Sequence, residues 1–235
     1  MQYHKPQKMA PTSLFLNIFF SITVLLSIWL FLRAAQFSRT AFLLICTLSI
    51  VQSALSLNGF YQNGQALPPR FIFLIGPGFL VIAFLFLSKK GRQFIDSLDI
   101  RWLTWLHIVR IPVEIVLYYV AIARLIPALM TFEGNNLDIL SGISAPVIYY
   151  LVFVWKKANW KVLLIWNFVC LGLLINILVL AILSAPTPFQ QLAFDQPNRG
   201  VSYFPFALLP AVIVPVVLLS QLAGIWQLVR KKDLF

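Results

Sequence analysis

Long apolar stretches separated by short polar ones run along almost the whole chain. Each stretch covers about 20 residues, the length that an α-helix needs to cross the ~30 Å hydrocarbon core of a bilayer. Membrane barrel strands would instead alternate apolar and polar residues with a period of two. The pattern predicts an all-α membrane bundle, one domain over residues 1–235, with seven transmembrane helices. The predicted spans are about 12–32, 41–60, 71–88, 102–126, 141–155, 162–184 and 205–228.

The composition agrees with this class. Hydrophobic residues make up 60% of the chain and charged residues 11%, whereas roughly 25% of the residues in a soluble domain are charged. The net charge of +11 comes from short Lys and Arg clusters beside the apolar stretches, which is typical of membrane topology signals. We therefore expect the lipid bilayer as a partner and no nucleic acid. The sequence gives no oligomeric state.

The basic clusters also predict the orientation of the spans. Most of the 18 Lys and Arg residues fall on one side of the predicted membrane. The positive-inside rule assigns that side to the cytoplasm. All seven Trp residues lie near the same ends of their spans, as expected for side chains that favour the headgroup level. The C-terminus is thus predicted inside and, for seven spans, the N-terminus outside.

Ionisable residues in the fourth span are the strongest candidates for function. At about 100° per residue, His107, Arg110, Glu114 and Tyr118 share one narrow stripe of a helix. Arg110 and Glu114, four residues apart, are predicted to pair directly. One interpretation is a binding or proton-handling centre for a small anionic or protonatable ligand, in which Arg110 holds an anionic group, Glu114 exchanges a proton and His107 gates access. The other is a buried ion pair that fixes helix packing.

The loop after the fourth span gathers oxygen-bearing side chains, as a Ca²⁺ site does. These are Glu133, Asn135, Asn136 and Asp138. Their spacing differs from that of an EF-hand loop, so we expect turns and no metal site. The fifth helix is then expected to start at Ser141 or Ser144, just before Pro146.

A second polar segment precedes the last span. Asp195, Asn198 and Arg199 either form a polar turn or line an outer vestibule together with Glu133, Asn135 and Asp138. Within the last span itself, Pro210 and Pro215 each remove a helical hydrogen bond, which predicts a kinked or locally unwound helix.

No cofactor is expected. A retinal Schiff base needs a Lys in the last span, and no Lys occurs between residues 162 and 230. A haem held by two histidines is disfavoured because His107 is the only histidine at membrane depth.

Three segments carry a resemblance to known sequences. They are RIPVE at 110–114, MTFEGNNLDILSG at 130–142, and FDQPN with YFPF at 194–198 and 203–206. They resemble a group of uncharacterised bacterial seven-span membrane proteins, mainly over the second half of the chain. The resemblance implies a bacterial inner-membrane location and supplies no activity.

Three functional classes remain open from the sequence. A carrier or proton-coupled binding protein would use the charged stripe together with the broken last helix, as transporters use discontinuous helices near the midplane. A sensor or scaffold subunit of a membrane complex would use the bundle as a support. A membrane-embedded enzyme would need a nucleophile or metal set, and no GxSxG or HExxH motif is present.

Overall fold

The structure is a computed structural model that describes residues 12–63 and 66–230. Over these residues the chain forms nine α-helices and no strand. The helices are α1 (Leu14–Ala34), α2 (Arg39–Leu57), α3 (Phe71–Leu87), α4 (Lys89–Ser97), α5 (Ile100–Leu106), α6 (Arg110–Ile122), α7 (Ile139–Tyr149), α8 (Trp160–Leu183) and α9 (Val214–Arg230). The predicted all-α class is confirmed.

Five helical segments in the described part of the chain are long and apolar enough to cross a membrane. They are Leu14–Ala34, Arg39–Leu57, Ile100–Ile122, Trp160–Leu183 and Leu209–Arg230. Helices α3 and α4 pass the same test together but are bent by 96° relative to each other, so they add at most a sixth span. Helix α7 with the turn that follows it, Ile139–Val154, is apolar but shorter.

The helix starts follow from polar residues that cap free backbone N–H groups. The hydroxyls of Ser13, Ser38 and Ser88 accept hydrogen bonds from backbone N–H groups in the first turns of α1, α2 and α4. The side chains of Asp99 and Asn159 do the same for α5 and α8. Such caps satisfy donors that have no partner within the helix.

Residues 89–101, which we expected to be a link, fold into α4 and the start of α5. Helix α4 is amphipathic: its Ile95 is fully buried while Lys89 and Lys90 are exposed. From α9, Gln227 donates to the carbonyls of Ile95 and Leu98 at 2.7 and 2.9 Å, so α4 is held across the end of the bundle. Basic residues followed closely by Phe94 and Ile95 in KKGRQFI are the sequence signal for such a helix.

Helix α9 is the centre of the bundle and packs against α1, α3, α4, α5 and α8. It is preceded by a π-helical turn, Leu209–Ile213, which contains Pro210, and Pro215 is the second residue of α9 itself. The predicted local break in the last span is therefore confirmed. In the most apolar part of this span 72% of the residues are buried, against 22% for α2.

The predicted fourth span, 102–126, has an interrupted backbone. A short 3-10 turn, His107–Val109, separates α5 from α6, because Pro112 has no N–H to bond the carbonyl of Ile108. The helix ends at Ile122, four residues before the predicted boundary, and Arg124 takes a left-handed backbone conformation with φ of 58°. Arg124 is exposed.

Candidate functional site

Arg110 is buried at the first turn of α6 and forms an ion pair with Asp138, which directly precedes α7. One guanidinium nitrogen, Nη1, donates to the Asp138 carboxylate and also to the carbonyl of Cys170 in α8 at 3.3 Å. The predicted direct pair of Arg110 with Glu114 is wrong. The i, i+4 rule ranks only neighbours on one helix, and here the acidic partner comes from a segment 28 residues further along the chain.

Asn136 connects the two carboxylates of the site. Its side-chain amide donates to Glu114 Oε1 at 2.5 Å and to the carbonyl of Met130 at 3.0 Å. Its amide oxygen accepts the backbone N–H of Asp138 at 3.0 Å. Arg110, Glu114, Asn136 and Asp138 thus form one hydrogen-bonded group, which we call the buried centre. All four are at most 5% exposed.

The segment that supplies Asn136 and Asp138 turns back along α6 instead of running past its end. Asp138 contacts Arg110, twelve residues before the last residue of α6, which corresponds to about 18 Å at 1.5 Å per residue. Helix α7 therefore begins about halfway along the α5–α6 span. The expectation that Asp138 lines an outer vestibule is wrong for this reason.

A small cavity of about 50 Å³ adjoins the buried centre. Its polar lining comes from Arg110, Glu114 and Asp138, and its apolar lining from α6, α8 and the α9 span. Three polar atoms of the centre have no hydrogen-bond partner among the described residues: Nε and Nη2 of Arg110 and Oε2 of Glu114. Buried groups of this kind normally have a protein or water partner, and the cavity that their residues line provides space for one.

His107 and Tyr118 do not belong to the buried centre, although the sequence predicted one stripe. His107 Nε2 lies 3.2 Å from the hydroxyl of Ser220 in α9, and its ring packs edge-on against Trp166 with the centroids 5.3 Å apart. The 3-10 turn between His107 and Arg110 changes the helical register and separates the two side chains. Tyr118 stacks on Phe132, with 5.1 Å between ring centroids.

The remaining vestibule candidates do not converge on one site. Glu133 and Asn135 are exposed, and the carbonyl of Asn135 accepts a hydrogen bond from Asn176 at 2.8 Å. Asn198 is buried, and its amide donates to the carbonyl of Ala181 at 3.1 Å, which ties the segment to α8. Asp195 and Arg199 are exposed, as a polar turn requires.

Helix α7 begins at Ile139, directly after Asp138, and not at Ser141 or Ser144 as expected. The two serines have other partners: Ser141 donates to Asp138 at 3.4 Å, and Ser144 accepts from the indole N–H of Trp166 at 2.8 Å. Over residues 12–63 and 66–230, no group of three or more His, Cys, Asp and Glu side chains could hold a metal ion.

Asn136 is the functional candidate that sequence reasoning passed over. The sequence groups it with Glu133, Asn135 and Asp138, for which the spacing predicts turns. The sequence does carry one signal that this segment is buried. Asp138 lies between the apolar residues Leu137 and Ile139 and has no cation close to it in the sequence.

Apolar helices of membrane-crossing length around a buried charged centre are compatible with a helical membrane protein. More specifically, residues 67–229 match the family described as "Domain of unknown function (DUF8737)", and because this match covers more than half of the chain, the chain belongs to that family. The matched range contains the whole buried centre. Comparison with curated proteins and with solved structures gave no match.

Proposed function

We propose that the protein is a proton-coupled carrier or binding protein of the bacterial inner membrane, in which Glu114 holds the exchanged proton. Arg110 then presents its two unpartnered donors to a small anionic or hydroxyl-bearing solute. The observation that carries the proposal is that Arg110 and Glu114, which each have polar atoms without a hydrogen-bond partner, line the same small cavity.

The charge of the buried centre supports proton exchange. Arg110 and Asp138 compensate each other as an ion pair, which leaves the Glu114 carboxyl without a cation of its own. An isolated charge in a low-dielectric interior is costly, whereas the centre becomes neutral when Glu114 holds a proton. One proton therefore switches the centre between a neutral and a negative state.

The size of the cavity supports a small exchanged species. A volume of about 50 Å³ holds a few water molecules, because each water requires about 10–15 Å³ of this kind of space. An organic solute needs more room, which the π-helical turn and the turned-back segment before α7 would have to provide. Breaks of this type lie beside the binding sites of known transporters.

The proposal includes seven membrane crossings, with the N-terminus outside and the C-terminus inside. The five long helices and the bent α3–α4 pair supply six. The seventh combines α7 with the preceding segment, 125–138, which runs along α6 to about halfway along the α5–α6 span and so supplies the missing length. Reporter fusions after residues 97 and 158 should lie in the cytoplasm and a fusion after residue 187 outside. Any other distribution contradicts this topology.

Infrared spectroscopy of the reconstituted protein tests the role of Glu114 without knowledge of the solute. Glu114 and Glu133 are the only glutamates in the chain, so Glu133→Gln is a matched control. A protonated-carboxyl band that responds to pH should be present in the wild type and in Glu133→Gln but absent from Glu114→Gln. The proposal fails if Glu114→Gln retains that band.

Proton flux into liposomes under an imposed potential is the second measurement. We expect wild-type protein and Glu133→Gln to give equal flux, and Glu114→Gln to give flux no greater than liposomes without protein. Equal flux from Glu114→Gln and wild type would instead support a purely structural centre.

A further inference from the structure

A second and larger cavity lies on the opposite side of the α9 span from the buried centre. It has a volume of about 390 Å³ and runs between α2 and α3, two consecutive helices that hardly touch each other. Its floor is formed by α9 and the π-helical turn, through Ala211, Val212, Pro215, Val216 and Leu219. We call it the α2–α3 cleft.

The lining of the α2–α3 cleft is apolar except at one end. Leu44, Leu48 and Val81 are typical of its walls, whereas Ser38, Thr40 and Lys90 lie together at the end next to α4. The same end carries the exposed Arg39 at the start of α2, and Lys89 and Arg92 on α4. The cleft therefore combines an apolar channel with a basic, hydroxyl-bearing mouth.

The length of the cleft matches one leaflet of a bilayer. From Thr40 to Leu48 the lining of α2 extends over eight residues, or about 12 Å, against ~15 Å for half of the hydrocarbon core. At its inner end the cleft is closed, because α3 contacts α9 so closely there that a Cβ on Gly78 would lie 2.4 Å from Pro215 Cγ. Further along, Gln52 of α2 donates to the carbonyl of Phe73 in α3 at 3.1 Å.

We propose that the α2–α3 cleft binds one acyl chain of an anionic phospholipid from the leaflet next to α4, with the phosphate of the headgroup at Lys90, Ser38 and Thr40. The volume falls within the ~300–1,000 Å³ of ordinary ligand sites. Basic residues at a membrane surface attract anionic lipids, and the open side between α2 and α3 gives a chain access from the bilayer. This inference does not depend on the role of Glu114.

Native mass spectrometry of the full-length protein provides the test, with phosphatidylglycerol and phosphatidylcholine of identical chains added in turn. The wild type should retain one phosphatidylglycerol at activation energies that remove phosphatidylcholine. Equal retention of the two lipids would overturn the assignment of an anionic headgroup. Retention of neither lipid would overturn the site itself.

Two pairs of variants locate the binding. Ala41→Phe fills the cleft, whereas Ala54→Phe adds the same ring to an exposed position of α2 outside it. Lys90→Glu reverses the charge at the mouth, and Lys157→Glu reverses an exposed charge elsewhere. Ala41→Phe and Lys90→Glu should each reduce phosphatidylglycerol retention about tenfold, and the two controls should not.

If Ala41→Phe loses its cooperative melting transition, Leu48→Trp fills the cleft at its other end and takes its place. Wild-type retention by a folded cleft-filling variant would overturn the proposal. So would a loss of retention in Ala54→Phe equal to that in Ala41→Phe, because the lipid would then bind the outer surface of α2.

Discussion

The buried centre and the α2–α3 cleft occupy two sides of one helical span and differ in almost every physical property. The centre adjoins a space of about 50 Å³ lined by three ionisable side chains, whereas the cleft is mostly apolar and about 390 Å³ in volume. Polar groups need exact partners when water is excluded, while an apolar groove needs only a complementary shape. The buried centre is therefore suited to a proton or a small polar solute, and the α2–α3 cleft to a hydrocarbon chain.

The largest expected loss of stability follows from replacing Arg110, the cation of the buried centre. Arg110→Met leaves two buried carboxyls without a cation, so the free energy of unfolding in detergent should fall by about 3–5 kcal/mol. Exposed Arg124 provides the control, and Arg124→Met should change the free energy of unfolding by less than about 0.5 kcal/mol. Chemical denaturation measures both. An Arg110→Met protein as stable as the wild type would mean that the pair is hydrated.

The two carboxyls of the centre should differ in their effect on stability. Asp138→Asn leaves Arg110 without its counter-charge and should cost about 2–3 kcal/mol, as expected for a lost hydrogen bond to a charged group. Glu114→Gln keeps an acceptor for Asn136 and reproduces the neutral state, so its cost should stay below about 1 kcal/mol. Denaturation of both variants at neutral pH checks the order. The reverse order would assign the exchanged proton to Asp138.

Two glycines in α3 test how tightly the cleft is closed at its inner end. Gly78→Ala forces a Cβ against Pro215 and should destabilise the protein by about 1–3 kcal/mol. A Cβ on Gly76 would meet no atom closer than 4.0 Å, so Gly76→Ala should stabilise the helix by up to about 1 kcal/mol. Thermal melting of the two variants should shift in opposite directions. Equal shifts would show that α3 moves freely against α9.

The smallest expected effect is at Tyr61, whose hydroxyl donates to Gln52 and so supports the link between α2 and α3. Tyr61→Phe should cost about 1 kcal/mol through the lost hydrogen bond. Burial raises the pKa of Tyr61 from its ordinary value of 10 to about 12. The folded state thus holds the phenolic proton more tightly than the unfolded state does. The stability that this raised pKa contributes is complete below pH 10 and is lost as the pH rises toward 12.

Melting temperatures measured between pH 9 and pH 12 test this direction of the pH dependence of stability. The wild type should lose more stability over this interval than Tyr61→Phe, which has no phenol to titrate. Parallel curves would show that water already reaches the Tyr61 hydroxyl.

The long apolar helices were predictable from the sequence because hydrophobicity alone determines which segments suit a bilayer, whereas α4 was not, since it is amphipathic and short. The π-helical turn was also predictable, since Pro210 and Pro215 remove specific hydrogen bonds. Arg110 and Glu114 were identified because charge is rare in such segments. Their partners were not, because Asn136 and Asp138 approach them through a chain reversal that leaves no periodic signal.

No sequence pattern predicts the α2–α3 cleft. Its walls consist of Leu, Ile, Val and Phe residues that are equally common at helix contacts and at lipid-facing positions. The missing contact between α2 and α3 depends on how the α9 span separates them, which is a property of the assembled bundle. Its lining residues Lys90 and Pro215 belong to patterns visible beforehand, the basic cluster KKGR and the prolines of the last span, but neither pattern predicts a cleft.

The π-helical turn Leu209–Ile213 also makes the linings of the two cavities interdependent. A π-turn contains one residue more than an α-turn, so conversion to α geometry would rotate the following helix by about 100° and shift it by about 1.5 Å. Val216 now faces the cleft and Val217 faces the centre. A register change of one residue would turn one of these two side chains into the direction that the other now has. Occupancy of either cavity would then bias the helical geometry on which the other depends.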